Sequence, residues 1–407
     1  MSLSRTIARG FAVAAALALM TPGAGPAAAD AGPAGLEFYT PPGALVAGEH
    51  GSVIWSRPLT ASPALAGAHN ELVLYRSVDL RGDTVAVSGT VAVPVGTPPP
   101  GGWPLISWAH GTTGVADVCA PSRDTGPDYP AHDYTTLTGQ FLQRWIDAGY
   151  AVAQTDYQGL GTPGPHGYLI GAAEQRAVAD IARAARELHP AIGERWVAVG
   201  HSQGGQAAAF TNAQSPEWVP ELDLLGTVAI APASHLGPAM QGAQLVARLG
   251  ATAPAAPVLK SAAPLLPLIV RGAQTVAPLD TAQLLTPEAD ALLPLADESC
   301  VARLRQPDAW AGLPNGQAIA ATADLTPFRQ VLDANDPSTL RLPAPFLVIQ
   351  GRTDTVVTPQ LTDAMVTRLT ATGQPVDYRT YPDRDHRTVL AAAFPDIRTW
   401  TDTRFGR

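Results

Sequence analysis

The chain turns on ten residues. Trp196 to Val199 form a short apolar run that reads as a buried strand, and it leads into Gly200-His201-Ser202-Gln203-Gly204. Small and helix-favouring residues, Gly205 to Phe210, follow at once. A Gly-x-Ser-x-Gly run between strand and helix is a nucleophile elbow, in which a tight turn lifts the serine hydroxyl clear of the sheet. Side chains at the flanking positions would collide with the neighbouring strand and helix, so glycine is required there. The helix that starts at the turn aims its first backbone N–H groups at the same point, where they favour negative charge. A chain with this feature needs a mostly parallel sheet with helices on both faces, and it needs a base and an acid brought in from elsewhere.

The order of the other segments meets that need. Leu72–Val78 and Thr84–Val93 read as an antiparallel hairpin at a sheet edge, and residues 30–70, rich in Pro, Gly and Ala, as an irregular arm. Pro104–Ala109 and Tyr150–Thr155 read as buried strands, with a helix carrying Phe141, Leu142, Trp145 and Ile146 between them. A second amphipathic helix, Glu174 to Leu188, turns Ala177, Ile181 and Ala184 inward. After the elbow come one more strand, Leu225–Ala231, and a long stretch rich in Leu, Ala and Pro. Strands resume at Pro345–Gly351 and Val376–Tyr381, and a last helix holds Phe394, Ile397, Trp400 and Phe405. The expected fold is α/β, an α/β-hydrolase sheet with an inserted helical cap. The expected divisions are a leader at 1–29, core at 30–234, cap at 235–338 and core again at 339–407.

Each residue type that acyl transfer requires stands just past a predicted strand. Ser202 is the expected nucleophile, Asp354 the acid that orients the base, and His386 the base, in the chain order Ser…Asp…His of the α/β-hydrolases. His110 and His201 precede the acid and sit inside local turns, so neither competes with His386 for the role. Asp363 and Asp377 fall in a predicted helix and strand and are poorer candidates than Asp354. Asp156 reads as a carboxylate that caps its own loop. His110-Gly111-Thr112 follows a strand at its C-terminal end, where the backbone N–H of Thr112 can join that of Gln203 in an oxyanion hole.

Charge and cysteine content narrow the class. Arg5 and Arg9, the apolar run Phe11–Met20 and Ala27-Ala28-Ala29 form an export-type leader, too short in its apolar part for a membrane span. Removing it takes the net charge from −9 to −11, which argues against nucleic acid as a partner. Two cysteines, Cys119 and Cys300, in an exported chain are expected to pair. Nine histidines show no metal-ligand spacing, and the expectation is an enzyme without metal or cofactor.

Several runs together resemble the secretory lipase family, the fungal lipase A type and its bacterial relatives. They are Tyr75-Arg76-Ser77, Ser88-Gly89-Thr90, Ala109–Gly114, Cys119-Ala120-Pro121-Ser122 and Asp156–Pro163. His166-Gly167-Tyr168, Gly200–Gly205, Gly351–Asp354 and Asp385-His386 complete the set. The resemblance implies a secreted carboxylic-ester hydrolase acting on acylglycerols and simple esters, with a helical cap forming the acyl tunnel; the chain is expected to be a monomer in transient contact with a lipid interface. It implies Ser202, Asp354 and His386 as the triad, Thr112 as an oxyanion donor and a disulfide like Cys119–Cys300. The fungal enzyme has a further disulfide for which this chain has no cysteines. A serine peptidase of the same fold and a hydrolase of polyesters or aryl esters are the alternatives.

Overall fold

The computed structural model describes residues 30–43, 45, 48–249, 262–314 and 317–407. The expected leader at 1–29 and parts of the stretch between 235 and 338 lie outside the described residues. Nine strands form one sheet in the order β1-β2-β3-β5-β4-β6-β7-β8-β9. β1 (Val53–Pro58), β2 (Ala68–Val78) and β3 (Thr84–Pro94) make an antiparallel end, and β3 also lies antiparallel to β5 (Ala151–Thr155). The rest is parallel: β5, β4 (Trp103–Ala109), β6 (Ile192–His201), β7 (Asp223–Ile230), β8 (Phe346–Gly351) and β9 (Val376–Tyr381). β1 corrects the reading of residues 30–70 as wholly irregular, and it displaces the hairpin from the outermost position. Its apolar core is only Val53-Ile54-Trp55 between Gly51 and Pro58, too short a pattern to separate from a loop.

Two apolar layers hold the sheet. Helices α2 (Gly171–Leu188) and α3 (Gln203–Trp218) cover one face, where Ala177, Ile181, Ala184 and Ala207 meet Val87, Leu105 and Ala198. Helix α1 (His132–Asp147) and the C-terminal helix Thr388–Phe405 cover the other, bringing Phe141, Trp145, Phe394 and Trp400 onto Ile106, Val199, Val228 and Leu347. The inner strands are apolar on both faces, as a parallel sheet between helices demands. Among the described residues no helix is long and apolar enough to cross a membrane.

Between β7 and β8 the chain passes through helices such as Leu236–Leu249, Leu266–Gln274 and Thr326–Ala334, with several single turns between them. Leu268, Val270, Leu304, Trp310 and Phe328 pack a core of their own there, joined to Tyr168 and Leu169 of the loop after β5. This layer is tied down at one point by several bonds. Cys119 and Cys300 form a disulfide, Gly114 bridges Cys300, and the Val301 N–H donates to the Thr113 carbonyl at 2.8 Å.

Candidate active site

Ser202 stands between the end of β6 and the first turn of α3 with φ 60° and ψ −115°. That is left-handed backbone for a residue with a β-carbon, and its strain is held by the packing around it. A β-carbon on Gly200 would lie 1.9 Å from the Gly204 carbonyl oxygen, and one on Gly204 would lie 1.9 Å from that of Ala109. Tyr157 and Ala231, just past β5 and β7, also have positive φ. Sharp turns therefore gather at one edge of the sheet, where open α/β sheets hold their ligands.

Asp354 follows β8 and His386 follows β9, and their side chains meet at 2.7 Å from Nδ1 to Oδ2. The aspartate is buried and fully engaged. Its Oδ1 accepts the Val356 and Val357 N–H groups at 2.8 and 2.9 Å, and Oδ2 also accepts the Gln350 amide at 3.3 Å. A carboxylate held in this way keeps the proton of His386 on Nδ1 and leaves Nε2 free to act as a base. Ser202, Thr112 and His386 all line one cavity of about 310 Å³, with Leu265 and Val301 of the helical layer on its wall. The backbone N–H of Thr112 has no acceptor among the described residues, and that of Gln203, first in its helix, has none within the helix. A larger open hollow of about 570 Å³ at Glu49, His50, Arg183 and Glu221 shares no wall with this cavity. Within it Arg183 pairs with Glu221, and His50 Nδ1 bonds Asp180.

Hydrogen bonds that the sequence reading did not foresee lie beneath these residues. His201 Nε2 faces the backbone carbonyl of His386 at 2.8 Å, so that nitrogen carries the proton. Its Nδ1 then accepts from the Tyr134 hydroxyl at 3.0 Å, and that hydroxyl accepts the Gly111 N–H at 2.7 Å. One chain of bonds thus joins the turn after β4, helix α1, the elbow and the loop of His386. Burial and the neighbouring His386 hold the His201 pKa well below the usual imidazole value, in keeping with a neutral ring. His110 and His166 are likewise neutral, pushed down to about 4 by burial.

Glu174 is buried under Gln203. Its Oε1 accepts the Gln203 amide at 2.7 Å and the Leu169 N–H at 2.9 Å, and burial pushes its pKa up to about 8. The second amide hydrogen of Gln203 points to His166 Nε2 at 3.2 Å, while His166 Nδ1 donates to the Gln158 carbonyl at 2.9 Å. The Thr112 hydroxyl meets that of Tyr168 at 2.6 Å. One signal for Glu174 was present in the sequence: it falls three and seven residues before Ala177 and Ile181, on the inward face of its helix. Tyr134 had no such signal, because its partners lie 23 and 67 residues away. Asp156 does not cap its own loop as expected but ties it to two other segments, accepting from the Ser88 hydroxyl on β3 and the Ser122 N–H in the loop after β4.

A family model described as "Serine aminopeptidase, S33" matches residues 131–390, well over half of the chain. A probable inactive lipase of Mycobacterium tuberculosis is 28% identical over 212 residues, 49% of this chain and 46% of that protein. The match thus spans less than half the length of that relative. Candida antarctica lipase A shares the fold with a TM-score of 0.69 at 19% identity, over 88% of this chain and 83% of that one. The rice cell wall degrading esterase LipA of Xanthomonas oryzae gives 0.66 at 20% identity, over 86% of this chain and 98% of that one. These likenesses establish an α/β-hydrolase fold, the fold that this lipase and this esterase also have.

Proposed function

Since the chain belongs to the serine aminopeptidase family of α/β-hydrolases, we propose that it is a secreted carboxylic-ester hydrolase of the lipase and esterase type, working through an acyl-enzyme on Ser202. The observation that carries this reading is the convergence on one cavity of Ser202, the His386–Asp354 pair and the Thr112 backbone. Ser202 Oγ attacks the ester carbonyl carbon while His386 Nε2 takes the hydroxyl proton. Asp354 holds the imidazole and stabilises the imidazolium. The carbonyl oxygen takes up negative charge between the Thr112 and Gln203 N–H groups, each such donor lowering the barrier by about 2.7–4 kcal/mol. The tetrahedral species expels the alcohol, which receives the proton from His386, and water then releases the acid by the same steps in reverse. Every step uses groups of this chain, with no metal or cofactor.

The family description raises aminopeptidase activity as the rival reading. A peptide amino terminus needs a free carboxylate near the serine, and the two acids at the cavity are engaged. Asp133 pairs with Arg387 at 2.6 Å, and Asp385 accepts the Thr388 hydroxyl at 2.7 Å and the Arg387 and Thr388 N–H groups. Export is supported by the leader-like start of the sequence and by the disulfide. The test is hydrolysis of p-nitrophenyl esters from C2 to C16, compared with aminoacyl p-nitroanilides. Turnover of esters alone, reduced by about 10⁶-fold in Ser202→Ala, is the expected result. A folded protein that neither cleaves any ester nor reacts with a fluorophosphonate probe overturns the reading, and would align the chain with its inactive relative.

A further inference from the structure

We infer that the ester this site takes carries an anionic group close to the scissile bond, and that Arg305 receives it; the inference rests on the ester-hydrolase reading above. Arg305 lies on the wall of the cavity that holds Ser202, Thr112 and His386. Among the described residues its guanidinium has no carboxylate and no hydrogen-bond acceptor. The cavity's other charges are satisfied: Arg387 and Asp133 hold each other, and Asp385 is spent on backbone and hydroxyl donors. One positive charge, on a solvent-exposed side chain in the cavity wall, is therefore left without a protein partner among the described residues.

Its position is anchored. Arg305 comes five residues after Cys300, whose disulfide to Cys119, bridge to Gly114 and adjoining Val301–Thr113 bond fix this segment on the oxyanion turn. The Arg305 N–H bonds the Val301 carbonyl at 3.1 Å, so the single turn holding the arginine grows directly from that anchor. Packing around the side chain lowers its pKa somewhat, and the nearby Tyr168 hydroxyl, bonded to Thr112, acts on it electrostatically. A guanidinium is the side chain best shaped to take a carboxylate or phosphate by two parallel bonds. Concave walls of low dielectric strengthen its pull on an anion. The net charge of −9 repels anions at long range, so recognition has to come from contact inside the cavity.

The anion can sit on the acyl side or on the alcohol side, and two substrate pairs separate these. The first is p-nitrophenyl hydrogen adipate against p-nitrophenyl hexanoate, with the carboxylate on the acyl chain. The second is 4-butanoyloxybenzoate against its methyl ester, with the carboxylate on the leaving group. Wild type, Arg305→Ala and Arg305→Lys are compared by kcat/KM. In at least one pair the anionic-to-neutral ratio is expected to fall about tenfold in Arg305→Ala, to recover in part with lysine, and to weaken with added salt. The pair that responds identifies the side. Equal ratios for wild type and Arg305→Ala in both pairs overturn the inference while turnover of the neutral esters leaves the hydrolase reading intact. If no ester is cleaved, the same ligands are titrated into Ser202→Ala by calorimetry. Binding of the anionic members that is weakened by adding Arg305→Ala upholds the anion site, and binding indifferent to that change overturns it.

Discussion

The two sides of Ser202 are built on opposite electrostatic principles. Beneath it, in the sheet and its helices, polar groups are buried and kept neutral: His110, His166 and His201 are pushed down and Glu174 is pushed up. Each spends its hydrogen bonds on a backbone or side chain that positions something else. Above it, the helical layer offers an apolar wall with, among the described residues, one unpaired charge, Arg305. Burying a charge without a partner is far costlier than burying a hydrogen-bonded neutral group, so apart from the closely hydrogen-bonded Asp354 carboxylate the floor gives up charge. The wall faces solvent and substrate and can keep it. On the proposed ester-hydrolase reading this is a division of labour, in which the floor determines whether bonds break and the wall determines which esters enter. Changes that break the floor's hydrogen bonds should lower turnover for every substrate, and changes in the wall should alter their ranking.

The largest break is expected at Asp354→Asn. An amide can still accept the Val356 and Val357 N–H groups, so the loop should keep its shape. Its NH₂ cannot accept from His386 Nδ1, and the ring is driven to the tautomer that places a proton toward Ser202. A loss of about 10⁴-fold in kcat with little change in melting temperature is expected. Loss of less than tenfold would remove Asp354 from the site and weaken the division itself.

Tyr134→Phe tests whether the floor reaches the histidine through the backbone. The change deletes the acceptor of the Gly111 N–H and the donor to His201 Nδ1, in a residue that touches no reacting atom. If the bonds from Tyr134 through His201 to the His386 carbonyl hold the base in place, kcat should fall about tenfold to a hundredfold with KM nearly constant. Adding His201→Gln should then cost less than it does alone, because one chain of bonds has already been cut. An effect confined to KM would assign Tyr134 to the cavity wall instead.

The floor and the wall also differed in how far they could be read from sequence. Ser202, Asp354 and His386 each follow a strand, and a parallel sheet brings strand ends to one edge whatever their separation along the chain. That is why residues 152 and 32 positions apart fall together in the structure. β1 escaped because three apolar residues do not make a period. The Tyr134–His201 contact escaped because a tyrosine on a helix carries no mark of which turn its hydroxyl meets. In the helical layer the difficulty was composition. Leu and Ala suit a self-contained core and an acyl pocket equally, and the structure uses many of them for the former, around Trp310 and Phe328. Arg305 became conspicuous only when its neighbours were seen to be paired.

Glu174→Gln is the mildest change and examines the neutrality of the floor. In this pair Glu174 Oε2 and Gln203 Oε1 are both acceptors without a partner among the described residues. A proton on Oε2 turns one of them into a donor, which matches a pKa pushed up to about 8 by burial. The folded state then retains a proton that the unfolded glutamate releases from its ordinary value of 4.5 upward. Stability is therefore fully present below pH 4.5, declines by at most about 1.4 kcal/mol per unit as pH rises, and levels off above 8. Glutamine keeps an acceptor for Leu169 and Gln203, replaces the unpartnered oxygen by a neutral NH₂ and does not titrate. The variant should keep its activity within about twofold at pH 7. Its stability relative to wild type should climb steadily between pH 5 and 8 in parallel denaturant titrations. The acid-side titration of His110, His166 and His201 is common to both proteins and cancels in the difference. A difference that stays flat across this range would mean that Glu174 is ionised in the folded protein, and that the floor tolerates a buried charge there as well as at Asp354.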